Sequence, residues 1–302
     1  MRPCRPKAGG RAMQADIIGI IGVGLMGHGI ASSIQRAGRR IAFVDHPGNQ
    51  PTQDLVAAGA EAFSTPADLA ARCDTIVLCV TGSPQVEAVL TGAGGVIEGL
   101  RPGAVVIDCS TALPDSTRRM AALVHEAGGR MLDAPMTRTP KEAAEGRLNL
   151  LVGGDEALYE ACLPLLRCFA ENVTHAGPVG SGHIMKLVHN YVSLGFSAVL
   201  CEAAAAAARA GIEPATLQAV LAQGGGKGVV LDRLTPFILD GDTGNFRFSI
   251  ANAAKDIGYY AAMAEVLGSK ASIAAAVAGA YAGQVEAGQG DRFVPEMIEL
   301  LS

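Results

Sequence analysis

The sequence predicts an α/β fold: a doubly wound parallel sheet at the N-terminus, then an all-α C-terminal domain entered along one long helix. Three observations predict it. From Asp16 onward, short β-branched runs alternate with helical patterns, which is the signature of strand–helix–strand units. A Gly-x-Gly-x-x-Gly loop, Gly22 to Gly27, stands directly after the first run. After Gly177-Pro178 the strand signals stop, and long apolar helical patterns fill the rest of the chain.

The elements follow in order. Asp16–Ile21, Arg40–Val44, Thr75–Val80 and Ala104–Asp108 are continuous apolar runs of the length and composition of buried parallel strands. Met26–Ala37, Pro66–Arg72, Pro84–Leu90 and Pro114–Glu126 are the intervening helices. Arg130–Asp133, Leu148–Val152 and Glu171–Thr174 extend the sheet toward an edge. A helix is expected from about His183 to Ala210, stopped by Gly211 and Pro214, and would span roughly 40 Å at 1.5 Å per residue. Further helices are expected around 214–223, 229–240, 249–267 and 270–287. This divides the chain into an N-terminal extension at 1–14, a dinucleotide-type domain at 15–179 and a helical substrate and oligomerisation domain at 180–302. The opening twelve residues are basic and rich in Pro and Gly, with nothing to pack, and Met13 reads as the natural beginning.

Composition narrows the function classes. Hydrophobic residues make up 49% of the 302, enough to bury a large core. Aromatics are 4% with no Trp, which speaks against platforms that stack bases or sugars. The net charge is −5, and without Arg2, Arg5, Lys7 and Arg11 the balance is 20 basic against 29 acidic residues, so no nucleic-acid partner is expected. Seven Cys include no Cys-x-x-Cys pair, which predicts free thiols, a reducing cytoplasm and no metal site. The most membrane-like stretch, Tyr191–Ala210, carries Glu202 and Arg209 and reads as a buried helix, so no membrane partner is expected.

Gly22-Val23-Gly24-Leu25-Met26-Gly27 has the context a dinucleotide loop needs. Its glycines permit a tight turn, close approach of backbone to a pyrophosphate, and close helix–strand packing, while the helix N-terminus receives the phosphate charge. Asp45 ends the second strand near the spacing at which an acid meets the adenine ribose. A carboxylate there accepts bonds from ribose hydroxyls and repels a 2′-phosphate, and no Arg follows it, so NAD is favoured over NADP. His46, next in the chain, fits either an adenine-facing or a solvent-exposed position.

At this point four blocks resemble the β-hydroxyacid dehydrogenases, the family of 3-hydroxyisobutyrate dehydrogenase and tartronate semialdehyde reductase, over essentially the whole chain from Asp16. They are the glycine loop; Asp108-Cys109-Ser110-Thr111 with Pro114; Gly180–Asn190 with Lys186 and Asn190; and Phe248 with Lys255-Asp256. The resemblance implies a Rossmann domain and a 6-phosphogluconate dehydrogenase-like C-terminal domain. It implies Lys186 as general acid/base, with Asn190 orienting the substrate and Lys186. It further implies Ser110 facing the substrate, Thr111 at the nicotinamide end, Phe248 and Lys255 toward the cofactor, and Cys79, Val80 and Thr81 on its adenosine side. From the residues alone, Lys186 and Asn190 share a helix face, and Ser110 and Thr111 fit a helix N-cap pair equally well.

The chain departs from the family after Asp133-Ala134-Pro135. Where the family has Val-Ser-Gly-Gly, this sequence has Met136-Thr137-Arg138-Thr139-Pro140, losing the glycine pair and gaining a guanidinium. Thr137, Arg138 and Thr139 are candidate substrate residues, and Arg138 either offers a bidentate fork to an oxyanion or points outward. A similar Arg-Thr occurs in the sulfolactaldehyde reductase branch. The expectation is an NAD-dependent oxidoreductase that interconverts a small 3-hydroxy acid and its semialdehyde, working as a homodimer or homotetramer. The alternatives are a reductase of a doubly anionic semialdehyde, an imine reductase, against which Lys186 speaks, and a non-catalytic dinucleotide-binding assembly module.

Overall fold

The computed structural model describes residues 17–302; Asp16 and the expected N-terminal extension lie outside the described residues. Within these, the chain divides into two compact units, 17–110 with 115–182, and 111–114 with 183–302.

The first unit alternates strand and helix: β1 (Ile17–Ile21), α1 (Leu25–Arg36), β2 (Arg40–Val44), α2 (Gln53–Ala57), β3 (Glu61–Phe63), α3 (Pro66–Ala70), β4 (Thr75–Leu78), α4 (Ser83–Thr91), α5 (Val96–Gly99) and β5 (Val105–Asp108). Then come α6 (Pro114–Glu126), β6 (Arg130–Asp133), β7 (Met136–Thr137), α7 (Pro140–Glu145), β8 (Leu148–Gly153), α8 (Glu156–Leu166) and β9 (Ala170–Gly177). The strands form one sheet in the order β3-β2-β1-β4-β5-β6-β8-β7, with β9 on β8. β3 to β6 run parallel, β8 is antiparallel to β6 and β7, and β9 is parallel to β8.

Alternation along each strand builds a core on either face. Ile18, Ile20, Val105 and Ile107 join α1 and α8 on one side. Ile17, Ile21, Val106 and Ile76 join the α3 to α6 side on the other. A sheet buried on both faces needs apolar residues at both parities, which is why these strands read as unbroken apolar runs. The short elements α2, β3, α5, β7 and α7 escape the sequence reading because two to six residues carry too little periodicity. α8 is also additional, and β4 stops at Leu78, leaving Cys79 and Val80 beyond the strand.

The second unit holds α9 (Ser181–Arg209), α10 (Pro214–Gln223), α11 (Val229–Asp240), α12 (Ile250–Val266), α13 (Ser272–Glu286), a 3-10 turn at Val294–Glu296 and α14 (Met297–Leu300). Leu194 and Cys201 of α9 pack with Leu231, Leu234, Ile257 and Tyr281 in its core. The expectation of a buried α9 needs correction. The helix is long and apolar enough to cross a membrane by length and composition, yet only 33% of its most apolar window is buried. Leu187, Leu194 and Cys201 form a buried stripe at seven-residue spacing, while Met185, Val192 and Val199 form an exposed one at the same spacing. Composition reports hydropathy, not whether each face has a partner.

Candidate active site

Register sets the first part of the site. Ile21 pairs with Leu78, Leu78 with Asp108, and Asp108 with Asp133, so β1, β4, β5 and β6 end level. Their next residues, Gly22, Cys79, Cys109 and Ala134, therefore line one carboxyl edge of the sheet, where open α/β sheets take ligands.

The glycine loop is made by close backbone contact. Gly22 sits at φ 92°, and a Cβ there would lie 2.3 Å from the Cys79 carbonyl oxygen. A Cβ on Gly27 would lie 1.9 Å from the Gly22 carbonyl oxygen. Gly24 differs: a Cβ there would meet nothing within 4 Å. Gly24 is also the N-cap of α1, with no side chain closing the helix end and no acid in its first turn. Open space in front of an uncapped helix N-terminus fits a pyrophosphate. Leu25, exposed, and Met26 stand in that first turn. Val23 is different again: its side chain is fully buried, and its backbone is held by Asn49 and Gln50.

Asp45 is exposed at the end of β2, its N–H donating to the Phe63 carbonyl. His46, also exposed, uses Nδ1 to accept the Gly48 N–H at 3.0 Å. Thr81 is exposed, and the Val80 N–H donates to Ser110 Oγ at 3.0 Å. Burial, with Asp108 adding to it, pushes the Cys79 thiol up to about 12, so it serves as packing under the loop rather than as a nucleophile.

The candidate substrate loop is built from side chains. Ser110 is buried, and its N–H donates to Asp108 Oδ1 at 2.9 Å. Thr137, also buried, accepts from Asn149 Nδ2 at 3.1 Å, and Asn149 Oδ1 accepts from Asn172 Nδ2 at 2.8 Å. Arg138 has φ 83°, the one positive φ outside glycine among the described residues. Its guanidinium bonds the Glu171 carboxylate and the Arg147 carbonyl. Thr139 caps α7 in a reciprocal pair with Glu142. Thr139 and Arg138 thus have structural partners in place, whatever else they contact.

The second unit carries the candidate proton-handling residues, Lys186 and Asn190, which stand one turn apart on α9. Asn190 Nδ2 donates to Asp256 Oδ2 at 2.6 Å, and Lys255 Nζ lies 3.2 Å from Asp256 Oδ1. Burial pulls the Lys186 ammonium from 10.5 down to about 8; Asp256 opposes the shift and Lys255 reinforces it. Asn190 Oδ1 faces His189 Nδ1 at 3.1 Å, so with the amide N–H committed to Asp256 the ring must carry its proton on Nδ1. Burial holds His189 below its ordinary 6.5, against the bond to Asn190. Lys255 also lies 5.9 Å from the centre of the Tyr259 ring, and Phe248 packs half-buried against the unit's core. Thr111 is half-buried and groups with this unit.

Sequence reasoning assigned no role to Asp256, His189, Asn49 or Asn149. Asp256 and His189 adjoin residues it did single out, and that adjacency was the available signal. No group of three or more His, Cys, Asp or Glu suited to a metal occurs among the described residues.

Residues 17–177 match the family described as the NAD binding domain of 6-phosphogluconate dehydrogenase. Residues 180–301 match the NAD-binding family of NADP-dependent 3-hydroxyisobutyrate dehydrogenase. The 2-(hydroxymethyl)glutarate dehydrogenase of Eubacterium barkeri is 32% identical over 80% of both chains. The structure of 3-hydroxyisobutyrate dehydrogenase from Salmonella typhimurium superposes with a TM-score of 0.83 at 29% identity, covering 94% of this chain and 99% of that one. The Mycobacterium tuberculosis 3-hydroxyisobutyrate dehydrogenase with L-serine gives 0.84 at 25% identity, over 95% and 99%. With the glycine loop, the uncapped helix and the lysine–asparagine pair in place, this chain belongs to the β-hydroxyacid dehydrogenases, oxidoreductases that use a nicotinamide dinucleotide.

Proposed function

We propose that the protein interconverts a small 3-hydroxy acid of the 3-hydroxyisobutyrate type and its semialdehyde, with NAD preferred over NADP. The observation that carries this reading is α9, where Lys186 with a pKa near 8 stands one turn from Asn190, itself fixed by Asp256. A nicotinamide dinucleotide held at the glycine loop would supply the two-electron chemistry, as acceptor of a hydride from the hydroxyl-bearing carbon. Lys186 in its neutral form takes the hydroxyl proton as the carbonyl forms, and in the reverse direction its ammonium returns that proton. Asn190 holds the hydroxyl oxygen against Lys186. Ser110 and Thr137 hold the acid group; the Thr137 oxygen already accepts from Asn149, which leaves its own O–H to donate to a carboxylate. Leu25, Met26 and Gly27 offer backbone N–H groups to the pyrophosphate, and exposed Asp45 supports the choice of NAD by repelling a 2′-phosphate.

A second reading has one observation in its favour. Arg138 occupies a left-handed conformation that disfavours a side chain, as functional residues often do. If Arg138 leaves Glu171 for a ligand, the substrate carries a second anionic group, as the substrate named for the Eubacterium barkeri relative does. The test is NAD+ reduction by 3-hydroxyisobutyrate, 3-hydroxypropionate and glycerate against sulfolactate and dicarboxylate analogues, in wild type and Arg138→Ala. Preference for the simple acids, unmoved by the substitution, is the expected result. Preference for the dianions, lost in Arg138→Ala, selects the second reading, and no NADH formation with any of them removes both.

The free cysteines 73, 79, 109, 162, 168 and 201 support a reducing compartment, the cytoplasm. The exposed stripe Met185, Val192 and Val199 supports assembly as a homodimer or homotetramer.

A further inference from the structure

The loop that leaves β2 closes on the glycine loop at one residue. Asn49 Oδ1 accepts the Val23 N–H at 3.2 Å, and Asn49 Nδ2 donates to the Val44 carbonyl at 3.0 Å. The Gln50 N–H donates to the Val23 carbonyl at 2.8 Å. A backbone N–H only donates and a carbonyl only accepts, so this environment fixes the Asn49 amide in one orientation. His46 Nδ1 takes the Gly48 N–H and closes the turn between Asp45 and Asn49. Val23 is flanked by Gly22 and Gly24, residues with little conformational preference of their own. Its buried side chain anchors one side of the loop, and the Asn49–Gln50 clamp takes both polar groups of its backbone.

We infer that Asn49 is a positioning residue for the dinucleotide: it locks the glycine loop to the Asp45 loop before any ligand arrives. The N–H groups awaiting the pyrophosphate and the carboxylate awaiting the adenine ribose then stand at a fixed separation. This rests on the dinucleotide reading of the glycine loop and adds to it a residue that touches no cofactor atom. Preorganisation of this kind raises affinity by removing the ordering cost at binding. It also sharpens discrimination, because Asp45 repels a 2′-phosphate only if the pyrophosphate is held at the matching distance.

Two measurements test it on the full chain. NADH and NADPH binding are titrated by calorimetry for wild type and Asn49→Ala, each with a thermal melt, and amide exchange at Val23 is followed in ligand-free wild type. The expected result is about a tenfold weaker NADH affinity in Asn49→Ala, with a smaller NADH-to-NADPH preference and a retained cooperative melt. Val23 is expected to exchange slowly with no ligand present, which decides the matter should the variant fail to fold. Wild-type binding of NADH with an equal affinity and preference in Asn49→Ala, or rapid exchange at Val23, overturns the inference alone. Failure of wild type to bind either dinucleotide removes the dinucleotide reading and the inference together.

Discussion

The two units hold their candidate functional residues by opposite means. In the first, the glycine loop is shaped by backbone contacts, with Gly22 and Gly27 packed so closely that a single methyl group would collide. In the second, side chains make the arrangement beside the lysine on α9: Asn190, Asp256 and Lys255 form one hydrogen-bonded and ion-paired cluster. Aromatic residues follow the same division, with four in the sheet unit (Phe43, Phe63, Tyr159, Phe169) and the other nine in the helical one. A backbone-made site tolerates no added atom at its packed glycines, whereas a side-chain-made site tolerates substitution and answers in its chemistry.

The sharpest way to break that contrast is Gly27→Ala. Its Cβ would lie 1.9 Å from a carbonyl oxygen that belongs to the loop itself, so the substitution is expected to cost at least about 3 kcal/mol. A thermal melt unchanged from wild type would contradict the backbone account.

Lys186→Met should move stability the other way. The folded pKa near 8 lies below the ordinary 10.5, so the folded state resists protonation and wild-type stability rises with pH between those values. At pH 7 the substitution is expected to stabilise by up to about 3 kcal/mol, and the gain should fade toward pH 10.5. Melts across that range check both the sign and the window.

Gly24→Ala is the control for Gly27. Nothing lies within 4 Å of its Cβ position, and its φ of −76° suits alanine, so the melt should be preserved. NADH affinity should fall about tenfold, roughly 1.4 kcal/mol, because the methyl group occupies space open to the pyrophosphate. The smallest effect is expected from Asp256→Asn. Asp256 is the group that supports the Lys186 proton, so removing its charge should move the midpoint of the oxidation pH profile below about 8, with folding retained. A midpoint that stays in place would detach Asp256 from the lysine.

The same contrast explains what was legible in the sequence. Glycines announce a backbone-made site, because only they fit positions such as Gly22, and the strand–loop–helix context gave the sheet unit its order. The four-residue spacing of Lys186 and Asn190 places them on one helix face, and only the family resemblance singles them out. Asp256 meets Asn190 across 66 positions of chain, and Asn49 meets Val23 across 26, pairings that no local pattern reports. Arg138 was legible as a departure, but its bond to Glu171 on β9 depends on how β8 and β9 pair. The exposed stripe of α9 escaped for a related reason: hydropathy is a property of residues, and burial is a property of partners.

The most direct test of the account is NAD+ reduction by 3-hydroxyisobutyrate across pH in wild type and Lys186→Met, with NADH affinity measured on both. The account predicts that wild-type turnover rises with pH through about 8. It predicts that Lys186→Met binds NADH as wild type does but turns over roughly 10²- to 10⁴-fold more slowly, with that rise gone. A Lys186→Met protein that turns over at the wild-type rate with the same pH dependence would contradict it.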